Sequence, residues 1–181
     1  YADQYWTEYA GPVDPLERAY AAGRKAVELD PNSQRAHFSL ANVYFFRKDW
    51  DRFYLEAERA LALNPNNTDV VAALGVRFVY AGKRERGVAL MKKAMALNPS
   101  HPGWYWFPIV YDHYWNREYD KALDAATRID MPGYFYTHVV LAMSYGQLGQ
   151  HDRANTAVQD LRHINPGFEK DPLHYLRMWF T

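Results

Sequence analysis

One dipeptide, Asx-Pro, recurs at a fixed interval and constrains the fold more than any other feature of this chain. Asp30-Pro31, Asn64-Pro65 and Asn98-Pro99 place their prolines 34 residues apart, and Asn165-Pro166 closes the series. Met131-Pro132 fills the gap between the third and the last pair. The stretches before the first three are near-copies: Arg24-Lys-Ala-Val-Glu-Leu-Asp-Pro, Glu58-Arg-Ala-Leu-Ala-Leu-Asn-Pro and Lys93-Ala-Met-Ala-Leu-Asn-Pro. A period in this range marks one supersecondary unit that cannot bury its apolar face alone and must stack on neighbours. Two antiparallel helices of about 14 residues with two short turns fill such a period. Proline stops the second helix, and the Asn or Asp before it accepts a non-helical backbone. Asn32-Ser33 and Asn66-Asn67-Thr68 then offer N-cap oxygens to the next helix.

The internal pattern resembles the tetratricopeptide repeat, whose template runs W-x2-L-G-x2-Y, then A-x3-F, then P. The second unit carries Leu40, Ala41, Tyr44, Ala57, Ala60 and Pro65, with His37 in the tryptophan slot and Phe53 where a small alanine is usual. The third carries Leu74, Gly75, Phe78, Gly87, Met91, Ala94 and Pro99, and the fifth Leu141, Ala142, Tyr145, Gly149, Ala154, Leu161 and Pro166. The fourth is irregular: Ala122 and Ala126 are in place, but Pro108 falls inside its expected first helix. The first is clear only from Pro15 to Leu29, with an expected partner helix over 3–10. The expectation is an all-α fold, a right-handed superhelix of about five helix pairs forming a single array. Its units span 1–33, 34–67, 68–101, 102–134 and 135–168, with a terminal helix near 170–180. Small residues such as Gly75, Ala41 and Ala142 let paired helices approach, while Tyr44, Phe78 and Tyr145 fill the space between units. The terminal run Leu173-His-Tyr-Leu-Arg-Met-Trp-Phe is too apolar for a solvent-facing cap, so a continuing chain or a partner is expected over it. A first residue other than methionine, Tyr1, reads as a piece of a longer chain.

In this architecture the first helix of each pair lines a concave wall. Repeat position puts Arg35, Phe38, Asn42, Phe45, Tyr80, Trp106, Val110, His113, Tyr136 and Met143 on it. The wall is mostly apolar and aromatic, which suits a protein or peptide anchored by a few rings and aliphatic side chains. Arg35 and Asn42 are the candidates for orienting a partner's backbone or acid. A carboxylate clamp of the kind some modules of this class use is missing, because Phe38 and Ala73 stand in its lysine and second asparagine slots. Fifteen tyrosines, nine phenylalanines and six tryptophans exceed what the repeat slots need. Trp104, Tyr105 and Trp106 form the densest cluster, and Trp104 and Tyr105 are expected to pack where the period slips.

Other chemistries find no support. The 21 basic and 21 acidic side chains balance, so no basic excess is available for nucleic acid. Without cysteine there is no disulfide, thiolate metal site or thiol nucleophile. The seven histidines show no HExxH spacing, and Asp112, His113 and Glu118 read as ordinary polar residues rather than a metal cluster. No Walker loop, GxGxxG or nucleophile elbow occurs, and no apolar run spans a bilayer. The reading is a non-catalytic scaffold with no cofactor and no metal, placed in the cytoplasm. Self-association through the terminal helices, docking onto an upstream effector domain, or sensing of a small ligand near Trp106, His113 and Tyr136 are the alternatives.

Four stretches carry a more specific resemblance. Asp14-Pro15 through Ala26-Val-Glu-Leu-Asp-Pro, Met91-Lys-Lys-Ala-Met-Ala-Leu-Asn-Pro-Ser-His-Pro-Gly-Trp-Tyr, Tyr145-Gly-Gln-Leu-Gly-Gln and Leu161 to Phe168 are similar to the C-terminal repeat modules of bacterial class III adenylate cyclase-like proteins and winged-helix transcriptional regulators. Gly146 and Gln150 depart mildly from that pattern. The resemblance implies a regulatory or protein-contact module of a bacterial signalling protein, with any catalytic aspartates in a preceding domain.

Overall fold

A computed structural model describes residues 14–172. Those residues form α-helices and one 3-10 turn, without a strand. The order is α1 (Pro15–Leu29), α2 (Gln34–Phe46), α3 (Trp50–Leu63), α4 (Thr68–Tyr80), α5 (Arg84–Leu97), the 3-10 turn (Gly103–Trp106), α6 (Phe107–Trp115), α7 (Tyr119–Thr127), α8 (Phe135–Gln147) and α9 (His151–Ile164). Helices α2 and α3, α4 and α5, α6 and α7, and α8 and α9 pack as antiparallel pairs, and α1 packs on α2. The pairs stack into a right-handed superhelix. The expected helices at 3–10 and near 170–180 lie, but for the first residues of the latter, outside the described residues.

The Asx-Pro junctions work through a local side-chain bond. Asp30 Oδ1 accepts from the Asn32 N–H at 3.0 Å, Asn64 Oδ1 from Asn66 at 3.2 Å, and Asn165 Oδ1 from Gly167 at 3.2 Å. Each bond turns the chain out of the helix by replacing the backbone partner that a continuing helix would supply. The next helix then starts on its own cap: Ser33 Oγ accepts from the Ala36 N–H, and Asn67 Oδ1 from the Val70 N–H, each at 3.3 Å. Histidines latch two junctions. His37 holds Glu56 Oε2 at 2.5 Å through Nδ1 and the Pro31 carbonyl at 3.0 Å through Nε2. His138 repeats the arrangement, with Nε2 2.8 Å from the Pro132 carbonyl and Nδ1 3.6 Å from Asp160.

Turns inside the pairs share a different device. Lys48, Gly82, Arg117 and Gly149 all have left-handed backbone, with φ of 58°, 86°, 60° and 70°. In each, the following N–H donates five residues back, as Asp49 does to Tyr44 O and Glu118 to His113 O. This is the glycine-type helix stop, yet two of the four positions carry side chains. Arg117→Gly is therefore expected to stabilise the chain by about 0.5–1 kcal/mol, net of glycine's extra unfolded-state entropy. A thermal melt followed by circular dichroism tests this, and an unchanged or lower midpoint refutes it.

The fourth unit differs from expectation for a steric reason. Pro108 does not interrupt a helix, because α6 begins at Phe107 and the proline sits in its first turn, where a missing N–H costs nothing. The preceding residues instead form the 3-10 turn, whose Gly103 lies against the chain leaving α7. A Cβ at Gly103 would stand 1.6 Å from Ile129 O. Tyr105 is driven into the core, 1% exposed, with its ring stacked on His101 at 5.2 Å. Elsewhere the close approach is between helices of one pair: a Cβ on Gly87 would lie 2.5 Å from Gly75 O.

Candidate functional site

The first helices of successive pairs, α2, α4, α6 and α8, share one wall. Each is buried on the sides that meet its neighbours, so only a narrow stripe faces out. On α2 that stripe is Arg35, Phe38, Ser39 and Asn42, spaced i, i+3, i+4 and i+7 as one helix face requires. Two cavities open along the wall, and their chemistries differ.

The first is a groove of about 870 Å³ between α1, α2 and α4. Its polar side includes Gln34, Arg35, Ser39, Asn42, Asn67 and Asp69, while Phe38 and Val70 supply apolar surface. Gln34 fixes the framework: its Nε2 donates to the Ala60 and Asn64 carbonyls at 2.9 and 2.7 Å, and its Oε1 accepts from Asn67 Nδ2 at 2.8 Å. Arg77 crosses the groove floor, donating to the Ala73 carbonyl at 2.8 Å and lying 5.8 Å over the Phe38 ring. Asn42 Oδ1 is buried and has no hydrogen-bond partner. A buried acceptor left unsatisfied costs about 1–3 kcal/mol.

The second is a pocket of about 270 Å³ lined by Val76, Tyr80, Trp104, Phe107, Tyr111, Met131, Tyr134 and Tyr136. Helices α4, α6 and α8 supply five of these; the 3-10 turn and the α7–α8 link supply the rest. The rings brace one another: Tyr80 and Tyr111 meet edge to face at 6.0 Å and Phe107 and Tyr134 at 5.8 Å, while Tyr134 and Tyr136 lie tilted at 5.4 Å. Burial pushes the phenols of Tyr80, Tyr111 and Tyr134 above the ordinary tyrosine value, and neighbouring phenols add to it at Tyr80 and Tyr111. All three therefore stay neutral near neutral pH.

The sequence-predicted residues divide among these places. Arg35, Phe38 and Asn42 line the groove, and Tyr80 and Tyr136 the pocket. Phe45 and Val110 are corrections: at 0% and 1% exposed they belong to the core, not the wall. Phe45 keeps the helical face of Phe38, seven residues earlier, but near the end of α2 that face is covered by Trp50 and Phe53 of α3, at 5.9 and 5.6 Å, and by Arg77 of α4 at 5.9 Å. Val110 sits in the first half of the nine-residue α6, where residues 107–111 are all buried. Trp106 is half-buried beneath Arg128, 5.1 Å from its ring, and lines neither cavity. His113 bonds Glu118 at 2.6 Å, and Met143 is half-buried on α8. Trp106, His113 and Tyr136 do not line either of these two cavities together. Repeat position also puts Val76 and Phe107 on the wall, but sequence reading missed Trp104, Tyr111, Met131 and Tyr134 as their partners in one pocket. The trace of the three rings is aromatic density around 104–111 and 134–136; Met131 has none.

Asp112, His113 and Glu118 are taken up in ion pairs. Asp112 faces Arg84 at 3.4 Å, and Glu118 is shared between His113 and Lys121. Lys121 and then His113 hold the Glu118 carboxyl below its ordinary value. Among the described residues no group of three or more His, Asp or Glu could hold a metal ion, and no helix is long and apolar enough to cross a membrane.

This architecture is that of a tetratricopeptide-repeat array. Among solved structures, the chain is similar to PilW, described as a widely conserved type IV pilus biogenesis factor, with a TM-score of 0.77 at 18% identity over 90% of this chain and 74% of that one. It is similar to YrrB, described as a tetratricopeptide protein with an unusual peptide-binding site, with a TM-score of 0.63 at 23% identity over 83% and 78%. MamA from Desulfovibrio magneticus RS-1 gives 0.70 at 12% identity over 84% and 86%. These likenesses are of fold. No protein-family model matches the sequence, and comparison with curated proteins finds no match.

Proposed function

We propose that the chain is a non-catalytic scaffold whose concave face holds an extended segment of a partner protein. The observation that carries this reading is the groove of about 870 Å³ between α1, α2 and α4, whose wall carries Asn42 together with Arg35 and Phe38 on one face of α2. A side-chain amide can both donate to and accept from the backbone of an extended partner segment. Arg35, exposed at the same rim, and Phe38 supply charge and apolar contact beside it. Tyr80 and Tyr136 extend the contact set along the wall, with Trp106, His113 and Met143 on adjoining surface. The likeness to YrrB supports the reading, since that protein is described as having a peptide-binding site. Placement within a longer bacterial signalling protein rests on the motifs at 14–31, 91–105, 145–150 and 161–168.

The Asn42→Leu variant gives a two-sided test. Removing an unsatisfied acceptor is expected to raise stability by about 1 kcal/mol, while binding weakens by about tenfold. Peptides selected from a random display library against the whole chain would be titrated by fluorescence anisotropy into wild type, Asn42→Leu and Phe38→Ala. Failure to select any saturable binder, or equal affinity for all three proteins, would sink the proposal.

A further inference from the structure

The geometry points to the aromatic pocket as a socket for one neutral aromatic side chain of the partner, an indole ring being the best fit. This rests on the reading of the concave face as a binding wall and adds what its second half selects.

Charge is the first argument. The pocket wall holds six rings, a valine and a methionine, and no charged group. The nearby cations are engaged elsewhere: Arg77 over Phe38, Arg84 on Asp112, Arg128 over Trp106. An anion entering would lose its water and meet no cation. A cation would be held by ring faces alone, since the wall has no carboxylate and its buried phenols stay neutral. A neutral group pays neither cost.

Size and shape narrow the choice. A dry apolar cavity of roughly 150 Å³ takes benzene, and this one measures about 270 Å³, so a bicyclic ring fits where leucine leaves space. Ring edges and faces both line the wall, which favours an aromatic guest in edge-to-face contact over an aliphatic one of equal area. The pocket is also open on one side. Phe107, Tyr111 and Tyr136 are buried and make its floor, while Val76, Tyr80, Trp104, Met131 and Tyr134 are half-buried at its mouth. An open mouth leaves room for the backbone to which a side chain is tethered, whereas free small ligands are usually enclosed over most of their surface.

The test uses the full chain labelled at methionine methyls. N-acetyl-tryptophanamide is expected to shift the Met131 methyl signal saturably, with affinity about fivefold above N-acetyl-leucinamide. Tetramethylammonium and benzoate are expected to leave it unmoved. Val76→Trp, which fills the pocket with the chain's own ring, should cut the affinity by about tenfold. Should that variant misfold, transfer of magnetisation from the indole protons to the Met131 methyl in the wild type decides the location instead. No saturable shift, tighter binding of leucinamide or tetramethylammonium, or binding of free indole but not of the capped amino acid each overturns the proposal. Loss of this site with the Asn42 effect intact removes the socket alone and leaves the groove reading standing.

Discussion

Gly103→Ala is expected to destabilise the chain by about 3 kcal/mol, lowering the melting midpoint by roughly 6–12 °C for a chain of this size. The added methyl would lie 1.6 Å from Ile129 O and 2.6 Å from its carbonyl carbon. Both are backbone atoms, so no side-chain rotation relieves the clash. Ile129 is itself fully buried, and Asp130 beside it already has φ of 39°, which leaves little room for that strand of chain to retreat. Gly133→Ala is the control: nothing lies within 4 Å of its added Cβ, so a change within about 0.5 kcal/mol is expected. Thermal melts of the two variants side by side decide the matter. Equal midpoints would mean that the Gly103 contact is not the constraint described.

Phe53→Ala is expected to cost about 3–5 kcal/mol. The ring is 0% exposed and lies 5.6 Å from Phe45 on α2, 5.2 Å from Tyr54 on α3 and 5.3 Å from Phe78 on α4. It therefore joins three helices from two units, in a slot where an alanine is usual. The smaller residue does not restore an ordinary repeat, because the surrounding rings are placed around the phenyl group and would leave a cavity. In an array whose units hold only their neighbours, such a loss falls on one junction first. Urea denaturation followed by circular dichroism should show a lower midpoint, and hydrogen exchange should show α2 to α4 losing protection before α8 and α9. Leu55→Ala, at a position 69% exposed, should change neither. A Phe53 loss below about 1 kcal/mol would contradict the central role given to this ring.

Much of the fold was legible because the sequence states it locally. Pro15 to Leu29 is bounded by Asp14, which caps its start, and by Asp30-Pro31, which ends it, and the helix spans those residues. The Asx-Pro pairs and Ser or Asn caps are short-range instructions, readable without neighbours. Side-chain direction on α2 was less legible. Arg35, Phe38 and Asn42 follow one helical face, but Phe45 faces α3 because its neighbours close around it, and those neighbours are remote in sequence. The aromatic pocket was least legible. Its walls come from three first helices and two irregular links, and no periodicity joins Val76 to Met131 or Tyr134. Trp104 and Tyr105 show the same limit: a single crowded stretch sends one ring to the pocket and the next into the core.

The contact of Gly103 with Ile129 also bears on how such a chain can grow. Units bounded by Asx-Pro turns carry their own start and stop, so a duplicated copy of the segment 34–67 would present the same ends to whatever preceded and followed it. The fourth unit has no such portability. Its entry turn is fitted to its own exit, and its tyrosines complete a pocket begun on α4 and finished on α8. It can be neither copied elsewhere nor replaced by a consensus unit without dismantling that pocket. By this geometry, lengthening the array is open on the amino-terminal side of residue 68, where α4 begins, and closed across the segment from 68 to 136.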